Sequence, residues 1–160
     1  MIILGIDPGL ATTGWGVIKK NKSEFEMINF GCILTPTKLD HIDRLLDINK
    51  QLVGLIKKYK PVLVAVEELF FYKNVKTALK VAEARGVILS TIAQLNLSLE
   101  EFTPLQIKQA LTGYGRADKQ QIQQMVKAIL KLKIIPKPDD AADALAVAIT
   151  AAQTAKFKQS

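Results

Sequence analysis

Acidic residues stand at the ends of three apolar segments of this chain. Asp7 closes an apolar run in "ILGIDPG", and Glu67 and Glu68 follow a second apolar run. Asp140 and Asp143 are three residues apart in "DDAADALAVAIT", so a helix there presents both carboxylates on one face. Carboxylates next to buried segments are costly to desolvate unless they are paired or bind a metal. Taken together, these positions indicate an acidic metal site.

Each of these acids also has an ordinary structural explanation. Asp7 suits a turn before Pro8-Gly9, and Asp139 or Asp140 suits the cap of the last helix, whose positive end favours a negative charge. These explanations do not account for an acidic residue at one end of each of three apolar segments. A set of carboxylates alone suits Mg²⁺, for which Mn²⁺ can substitute, and two such ions support phosphodiester cleavage. We therefore predict a site for divalent ions, two per subunit.

The sequence lacks the parts of other catalytic classes. Its one histidine, His41, opens a polar helix, and its one cysteine, Cys32, cannot form a disulfide within the chain. There is no zinc-type cluster, no Walker-type glycine loop and no nucleophile elbow. Without a signal peptide or a long apolar span, the chain is expected to be cytoplasmic and not bound to a membrane.

Positive charge is concentrated in one part of the chain. The whole chain has 22 Lys and Arg against 15 Asp and Glu, a net charge of +7. Between Thr103 and Pro138, seven basic residues and one acid, Asp118, account for +6 of that total. Such a stretch indicates either solvated helix faces or a surface that binds a polyanion, most often a nucleic acid. The seven are Lys108, Arg116, Lys119, Lys127, Lys131, Lys133 and Lys137.

A run of aromatic residues directly follows the second acidic position. Phe70, Phe71 and Tyr72 are consecutive and stand close to Lys73 and Lys76. Three consecutive rings in a loop cannot all point into a core. Rings combined with positive charge bind unpaired bases, so we predict that this loop contacts nucleic acid.

The apolar patterns predict an α/β fold with a mixed sheet. Three hairpin-linked strands come first, and helices and strands alternate after them. The helical pattern from Asn74 to Asn96 has more than one apolar face, which must be buried either inside the monomer or against a second subunit. Later helices are predicted to begin at Thr103-Pro104, at Asp118 and at Asp139 or Asp140, the second of them running to about Leu132.

These motifs resemble the RuvC family of bacterial Holliday junction resolvases. The similarity extends nearly end to end through "GIDPG", "TGWGVI", "VEELF", "ARGVI" and, most specifically, "DDAADALAVAIT". It implies a single ribonuclease H-like nuclease domain over residues 1–160, with a five-stranded mixed sheet flanked by helices. It further implies a homodimer in which each subunit nicks one of two equivalent strands of a four-way DNA junction, with a branch-migration motor as a partner.

The resemblance also implies roles for particular residues. The family aromatic that stacks on junction bases matches Phe70, and two lysines important for junction cleavage match Lys108 and Lys119. The family glutamate directly follows its strand, which selects Glu67, and its last two acids are three apart, which selects Asp140. The metal-binding acids of the family accordingly match Asp7, Glu67, Asp140 and Asp143.

The function expected from these assignments is resolution of Holliday junctions in recombination and repair by paired nicks. An activated water attacks the phosphorus in line and leaves a 5′-phosphate and a 3′-hydroxyl, with Lys119 stabilising the developing charge. One alternative is a non-catalytic junction- or nucleic-acid-binding module in which the acids are structural. Another is a ribonuclease H that acts on RNA–DNA hybrids. An ATPase of the actin and sugar-kinase superfamily would need a second domain and phosphate loop, for which this chain is too short.

Overall fold

One mixed five-stranded sheet organises the chain. The structure, a computed structural model, describes residues 1–69 and 74–155, so the predicted DNA-contact residues Phe70, Phe71, Tyr72 and Lys73 lie outside the described part. The strand order is β3-β2-β1-β4-β5, with β1, β2 and β3 antiparallel and β4 and β5 parallel to β1. The strands are β1 (Ile2–Asp7), β2 (Thr12–Asn21), β3 (Glu24–Leu34), β4 (Leu63–Glu67) and β5 (Ser98–Phe102). The predicted mixed sheet is confirmed.

Helices cover both faces of this sheet and create two apolar cores. Ile3 of β1 points into the core formed with α3, α4 and α5, whereas Leu4 and Ile6 point into the core formed with α1 and α2. This alternation follows from the two-residue period of a strand, and it explains why the continuous apolar run of β1 is buried on both sides. The helices are α1 (His41–Tyr59), α2 (Val75–Gln94), α3 (Pro104–Thr112), α4 (Lys119–Ile129) and α5 (Asp139–Thr154).

Glycine residues let α5 lie unusually close to the sheet. A Cβ atom added at Gly5 would lie 2.1 Å from the main-chain oxygen of Ala144, and one added at Gly14 would lie 2.0 Å from that of Asp140. No side chain fits at such distances, so the spacing between helix and sheet requires glycine at both strand positions. The close packing brings the first turn of α5 against the ends of β1 and β2.

The predicted starts of α3 and α4 are confirmed. Thr103 and Asp118 each accept a hydrogen bond from the main-chain N–H three residues later, and the glutamine there completes a capping box. The C-terminus of α4 differs from its prediction, because the helix ends at Ile129 rather than near Leu132. Lys131 has a φ of 53°, in the left-handed region, which a continuing helix does not permit.

The predicted cap of α5 is wrong. Pro138 occupies the N-cap position and provides no side-chain hydrogen bond, while Asp139 and Asp140 both lie in the first helical turn. The fixed φ of proline suits the entry to a helix, so neither aspartate is needed as the cap. Both carboxylates are therefore available for other partners.

A buried lysine holds the other end of α5. Lys20 of β2 is only 8% exposed, and its ammonium group donates hydrogen bonds to the main-chain oxygens of Ala152 and, at 2.9 Å, Ala155. The last carbonyls of a helix lack partners within the helix and favour a positive charge. Lys20 supplies both the hydrogen-bond donors and the positive charge. The sequence pattern did not predict this role of Lys20.

One side of α2 is buried and the other is exposed. Ala84, Ile88 and Ile92 pack into the core with α1, while Val75 and Leu79 are 76% and 60% exposed. The helix is therefore not enclosed within this chain on both faces, and that alternative for its two apolar faces is wrong. Among the described residues, no helix is long and apolar enough to cross a membrane.

Candidate active site

Two of the predicted acids lie side by side at one edge of the sheet. Ile6 of β1 and Val66 of β4 are paired in parallel register, so Asp7 and Glu67 follow them on neighbouring strands. The protonated carboxyl of Asp7 donates a hydrogen bond to Glu67. The adjacency of β1 and β4 therefore places the two carboxylates at the same edge of the sheet.

The first turns of α5 add the other two acids. The backbone of Asp140 lies against Gly14, which is the residue paired with Asp7 across β1 and β2. The charges of Asp140 and Asp143 both act on Asp7. The structure thus brings Asp7, Glu67, Asp140 and Asp143 to one end of the sheet.

Burial and mutual repulsion keep protons in this acidic cluster. Burial, followed by the charges of Glu67, Asp143 and Asp140, raises the pKa of Asp7 to about 9. Burial also raises the pKa of Glu67, although the hydrogen bond from Asp7 opposes that rise. Burial raises the pKa of Asp143 as well. Closely spaced carboxylates ionise together only when a positive charge compensates them.

Lys119 provides part of that positive charge. It is the first residue of α4, and its Nζ lies 3.2 Å from Asp143 Oδ2 and 3.4 Å from Asp139 Oδ2. Burial lowers the pKa of Lys119, but the two carboxylates outweigh burial and raise it overall. Asp139 also accepts hydrogen bonds from Lys137 at 2.7 Å and Gln123 at 3.0 Å, which lower its pKa to about 2. Asp139 is therefore ionised and contacts two lysines, Lys119 and Lys137, and the amide of Gln123.

A cleft of about 190 Å³ opens beside two of the acids. Glu67 and Asp143 line one side, and Lys108 of α3 and Lys119 of α4 line the same cleft. Both lysines that the family resemblance assigns to cleavage therefore face the acidic cluster. The remaining lining is mainly apolar and consists of Pro104, Ile107, Ile122 and Ala146.

Glu67, the last residue of β4, and Glu68, which follows it, have different surroundings. Glu68 lines a separate depression with Arg85 and Glu101, on the side of α2. Arg85 forms an ion pair with Glu101 and donates a hydrogen bond of 3.4 Å to the main-chain oxygen of Glu67. Arg85 therefore fixes the end of β4, a role that sequence reasoning missed. The only signal was one charged residue in the apolar run "ARGVI".

The other predicted DNA contacts lie at the surface. Arg116 is exposed in the loop between α3 and α4, and Lys76 is exposed in the first turn of α2. Lys131, also in the basic stretch, is paired with Glu24 at 3.3 Å. Lys108 and Lys119 thus line the cleft, whereas Lys131 is paired with an acid elsewhere.

The acids have the chemistry of a metal site but not the arrangement of a formed one. Across residues 1–69 and 74–155, no group of three or more His, Cys, Asp and Glu side chains is arranged to hold a metal ion. Instead, Asp7 keeps a proton that it shares with Glu67, and Lys119 pairs with Asp143. Carboxylate oxygens are nevertheless the donors that Mg²⁺ and Mn²⁺ prefer, so the donor set fits such ions.

Comparison with known proteins identifies the family. Residues 3–151 match the family model described as crossover junction endodeoxyribonuclease RuvC. A relative of that name from Caldicellulosiruptor saccharolyticus is 59% identical over 150 residues, which cover 93% of this chain and 90% of the relative. This chain belongs to the RuvC family.

Solved RuvC structures confirm the fold. The Thermus thermophilus RuvC structure has 35% sequence identity and a TM-score of 0.87, and the match covers 95% of this chain and 93% of that chain. T. thermophilus RuvC in complex with Holliday junction substrate matches with 32% identity, a TM-score of 0.86 and the same coverage. The chain is thus a ribonuclease H-like endonuclease that resolves Holliday junctions, from a family of metal-dependent nucleases.

Proposed function

We propose that Asp7, Glu67, Asp140 and Asp143 form the catalytic centre with which this RuvC-family chain nicks a four-way DNA junction. The observation that carries the proposal is that these acids meet at one end of the sheet: Asp7 and Glu67 follow paired residues of β1 and β4, and the α5 backbone at Asp140 packs against Gly14. An acidic cluster of this kind is stable with all carboxylates ionised only if a cation compensates them. Mg²⁺, with Mn²⁺ as a substitute and two ions per subunit, would polarise the phosphate and activate a water.

The residues around the cleft have complementary tasks. Asp7 releases its proton when the four carboxylates act together on a cation. Lys119, which now pairs with Asp143, is close enough to the cluster to stabilise negative charge that develops on the scissile phosphate. Lys108 lines the same cleft and supplies a second positive charge for the DNA backbone. The expected products carry a 5′-phosphate and a 3′-hydroxyl.

The loop after β4 is proposed to contact the opened centre of the junction. Its first aromatic residue, Phe70, is three positions after Glu67 in the sequence, so the connection to the catalytic edge is short. Aromatic rings stack on unpaired bases and lysines bind phosphates. Arg116 extends the basic surface from the α3–α4 loop. The residues assigned to these contacts are Phe70, Phe71, Tyr72 and Lys73, together with Lys76 in the first turn of α2.

A homodimer is proposed to form through α2. Val75 and Leu79 leave an exposed apolar surface on this helix, and a Cβ atom added at Gly86 would meet nothing within 4 Å. An exposed apolar helix face with a small residue permits close approach of a second helix. Two copies would present two catalytic centres to the two equivalent strands. From the family resemblance we further propose one nuclease domain over residues 1–160, a branch-migration motor as partner and action in the cytoplasm.

A substrate panel tests the proposed function. The wild-type protein is incubated with fixed and mobile four-way junctions, linear duplex and RNA–DNA hybrid, in Mg²⁺ and in Mn²⁺, and the nicks are mapped. We expect symmetric paired nicks that a ligase can seal, on junctions only. Junction binding without nicks in either metal would favour the non-catalytic alternative, and preferential cleavage of the hybrid would favour a ribonuclease H.

A further inference from the structure

A tyrosine is held at the surface in the turn between α3 and α4. Tyr114 is 55% exposed, although a large ring normally gains by burial. Along the chain it stands between Lys108 of α3 and Lys119 of α4, the two lysines that line the cleft. An exposed ring between two basic residues of a DNA-binding surface is a candidate for contact with a base.

The backbone around Tyr114 is fixed rather than left to vary. The hydroxyl of Thr112 accepts a hydrogen bond from the Tyr114 N–H at 3.1 Å and interacts with the Tyr114 carbonyl at 2.9 Å. Gly113 ends α3 with a φ of 70°, and a Cβ atom added at Gly115 would lie 2.5 Å from Leu105. Gly113 therefore has the left-handed backbone that favours glycine, and this turn fixes the main chain from which the Tyr114 ring projects.

The ring borders a depression of about 460 Å³, which we name the Tyr114 pocket. This volume is within the range of small-molecule sites, about 300–1,000 Å³. Met125 and Ala117 provide apolar surface, and the amides of Gln120 and Gln124 provide donors and acceptors on exposed side chains. An aromatic ring can stack on a nucleobase, and neighbouring amides can form hydrogen bonds with the edge of the base. The full lining is Thr112, Tyr114, Ala117, Asp118, Gln120, Gln121, Gln124 and Met125.

The one acid in the Tyr114 pocket is already engaged. Asp118 Oδ1 accepts the Gln121 main-chain N–H at 2.8 Å as the cap of α4. Residues 103–138, with Asp118 included, carry a net charge of +6, which favours a polyanion over an acidic peptide. The pocket and the cleft adjoin the same turn of α4, since Lys119 lines the cleft and its chain neighbours Asp118 and Gln120 line the pocket.

We propose that the Tyr114 pocket binds one unpaired base of the DNA junction, next to the strand that enters the cleft. The ring of Tyr114 stacks on the base, and Gln124 contacts the edge of the base. This contact gives the enzyme a means of preferring certain bases near the nick. The inference rests on the proposed function only in taking the junction as the ligand, because base binding in the pocket does not require the four acids to act.

Fluorescence of junctions carrying 2-aminopurine at single positions around the crossover tests this inference. Binding is measured in EDTA, so that no metal-dependent cleavage occurs. We expect the wild type to quench the probe at one position by stacking. Tyr114→Ala should abolish that quenching and raise the junction Kd about tenfold, because stacking on a ring contributes strongly to each bound base. Tyr114→Phe should retain both properties, since it keeps the ring.

Two controls separate the pocket from a general loss of DNA binding or of fold. Ile134→Ala removes an apolar side chain outside the pocket that is more exposed than Tyr114, and should change neither measurement. Gln124→Ala should leave quenching in place but alter the ratio of nicking rates on junctions that differ in one base. Unchanged quenching and Kd in Tyr114→Ala would overturn the inference, as would an equal loss in Tyr114→Phe. Failure of the proposed function would appear differently, as a wild type that binds junctions without nicking them.

Discussion

At the residue scale, the protonation of Asp7 links the fold to the chemistry. The ordinary pKa of this carboxyl is 3.8, whereas burial and the neighbouring acids raise it to about 9 in the folded chain. The unfolded chain therefore releases the proton near pH 4 and the folded chain retains it until near pH 9. Stability due to this group is complete below about pH 4 and is lost as the pH rises towards 9.

Replacement of Asp7 by asparagine should remove this pH dependence. Asparagine has nearly the same shape and no charge to desolvate, so Asp7→Asn should be more stable than the metal-free wild type at pH 8 by several kcal/mol, because each pH unit above about 4 costs the wild type about 1.4 kcal/mol. The two proteins should converge towards pH 4. Chemical denaturation at several pH values in EDTA measures the difference. A difference that is constant with pH would show that Asp7 does not hold a proton in the folded protein.

The acids themselves were predictable from their positions, whereas their partners were not. Asp7 follows an apolar strand and Asp143 stands in an apolar helix, and both facts are visible in the sequence. The ion pair of Lys119 with Asp143 and the hydrogen bond of Arg85 to the Glu67 carbonyl depend on distances between separate elements. No periodicity within one segment contains that information.

At the scale of elements, the distance between α5 and the sheet sets the geometry of the site. Gly14→Ala would place a methyl group against the backbone of Asp140, so the first turn of α5 must move. We expect a loss of about 1–3 kcal/mol in the free energy of unfolding. Nicking should slow at least tenfold, because a displacement of about 1 Å in a catalytic group can cost about 100-fold.

A matched glycine gives the control for this prediction. Gly54 lies within α1, and a Cβ atom added there meets nothing within 4 Å. Gly54→Ala should leave nicking unchanged and stabilise the protein by about 0.5–1 kcal/mol, the helix preference of alanine. Equal nicking by wild type and Gly14→Ala would show that the spacing does not control the site. Denaturation curves and junction nicking rates measure both variants.

Lys20 tests the other end of α5. Lys20→Met keeps the apolar stem but removes the donors to the Ala152 and Ala155 carbonyls, and should destabilise the chain by about 1–3 kcal/mol. Lys19→Met, at the exposed neighbouring position on β2, should change the stability by less than about 0.5 kcal/mol. Thermal or chemical denaturation of the pair measures the contrast. Equal stability of the two variants would contradict the capping role of Lys20.

The helices and strands were largely predictable, and the exceptions are helix ends. Capping boxes at Thr103 and Asp118 are sequence patterns with a direct structural meaning, and both are present. The start of α5 was misassigned because two aspartates resemble caps, whereas Pro138 takes that position and Asp139 binds Lys137 and Gln123. The choice between such alternatives is made by tertiary contacts.

At the scale of the whole molecule, the sheet order followed from its connections. Hairpins made β1, β2 and β3 neighbours, and a crossover through α1 placed β4 beside β1. The apolar face of α2 does not follow from the connections of the sheet. Val75 and Leu79 on this face stay exposed among the described residues. The sequence left two explanations for this helix, and the exposure of Val75 and Leu79 supports the proposed second subunit.

A charge placed on α2 should prevent dimerisation. Leu79→Glu would bury an unpaired carboxylate in the proposed interface and should weaken self-association about 100-fold or more. Ile134→Glu introduces the same charge at an exposed apolar position in the loop before α5 and should leave the dimer intact. Sedimentation at micromolar concentration measures both. A monomeric wild type, or a dimeric Leu79→Glu variant, would contradict the proposed interface.

Four isosteric variants test most directly whether the acids act as one catalytic site. Nicking of a four-way junction in saturating Mg²⁺ is measured under single-turnover conditions, with junction affinity measured in parallel. Glu68→Gln and Asp139→Asn serve as neighbouring controls. The variants are Asp7→Asn, Glu67→Gln, Asp140→Asn and Asp143→Asn.

We predict that each of the four variants nicks at least about 100-fold more slowly than the wild type, because each removes a charge that the reaction requires. Junction affinity should stay within about threefold of the wild type, and both neighbouring controls should nick within about tenfold of it. A near-wild-type nicking rate in any of the four variants would contradict a single site built from Asp7, Glu67, Asp140 and Asp143.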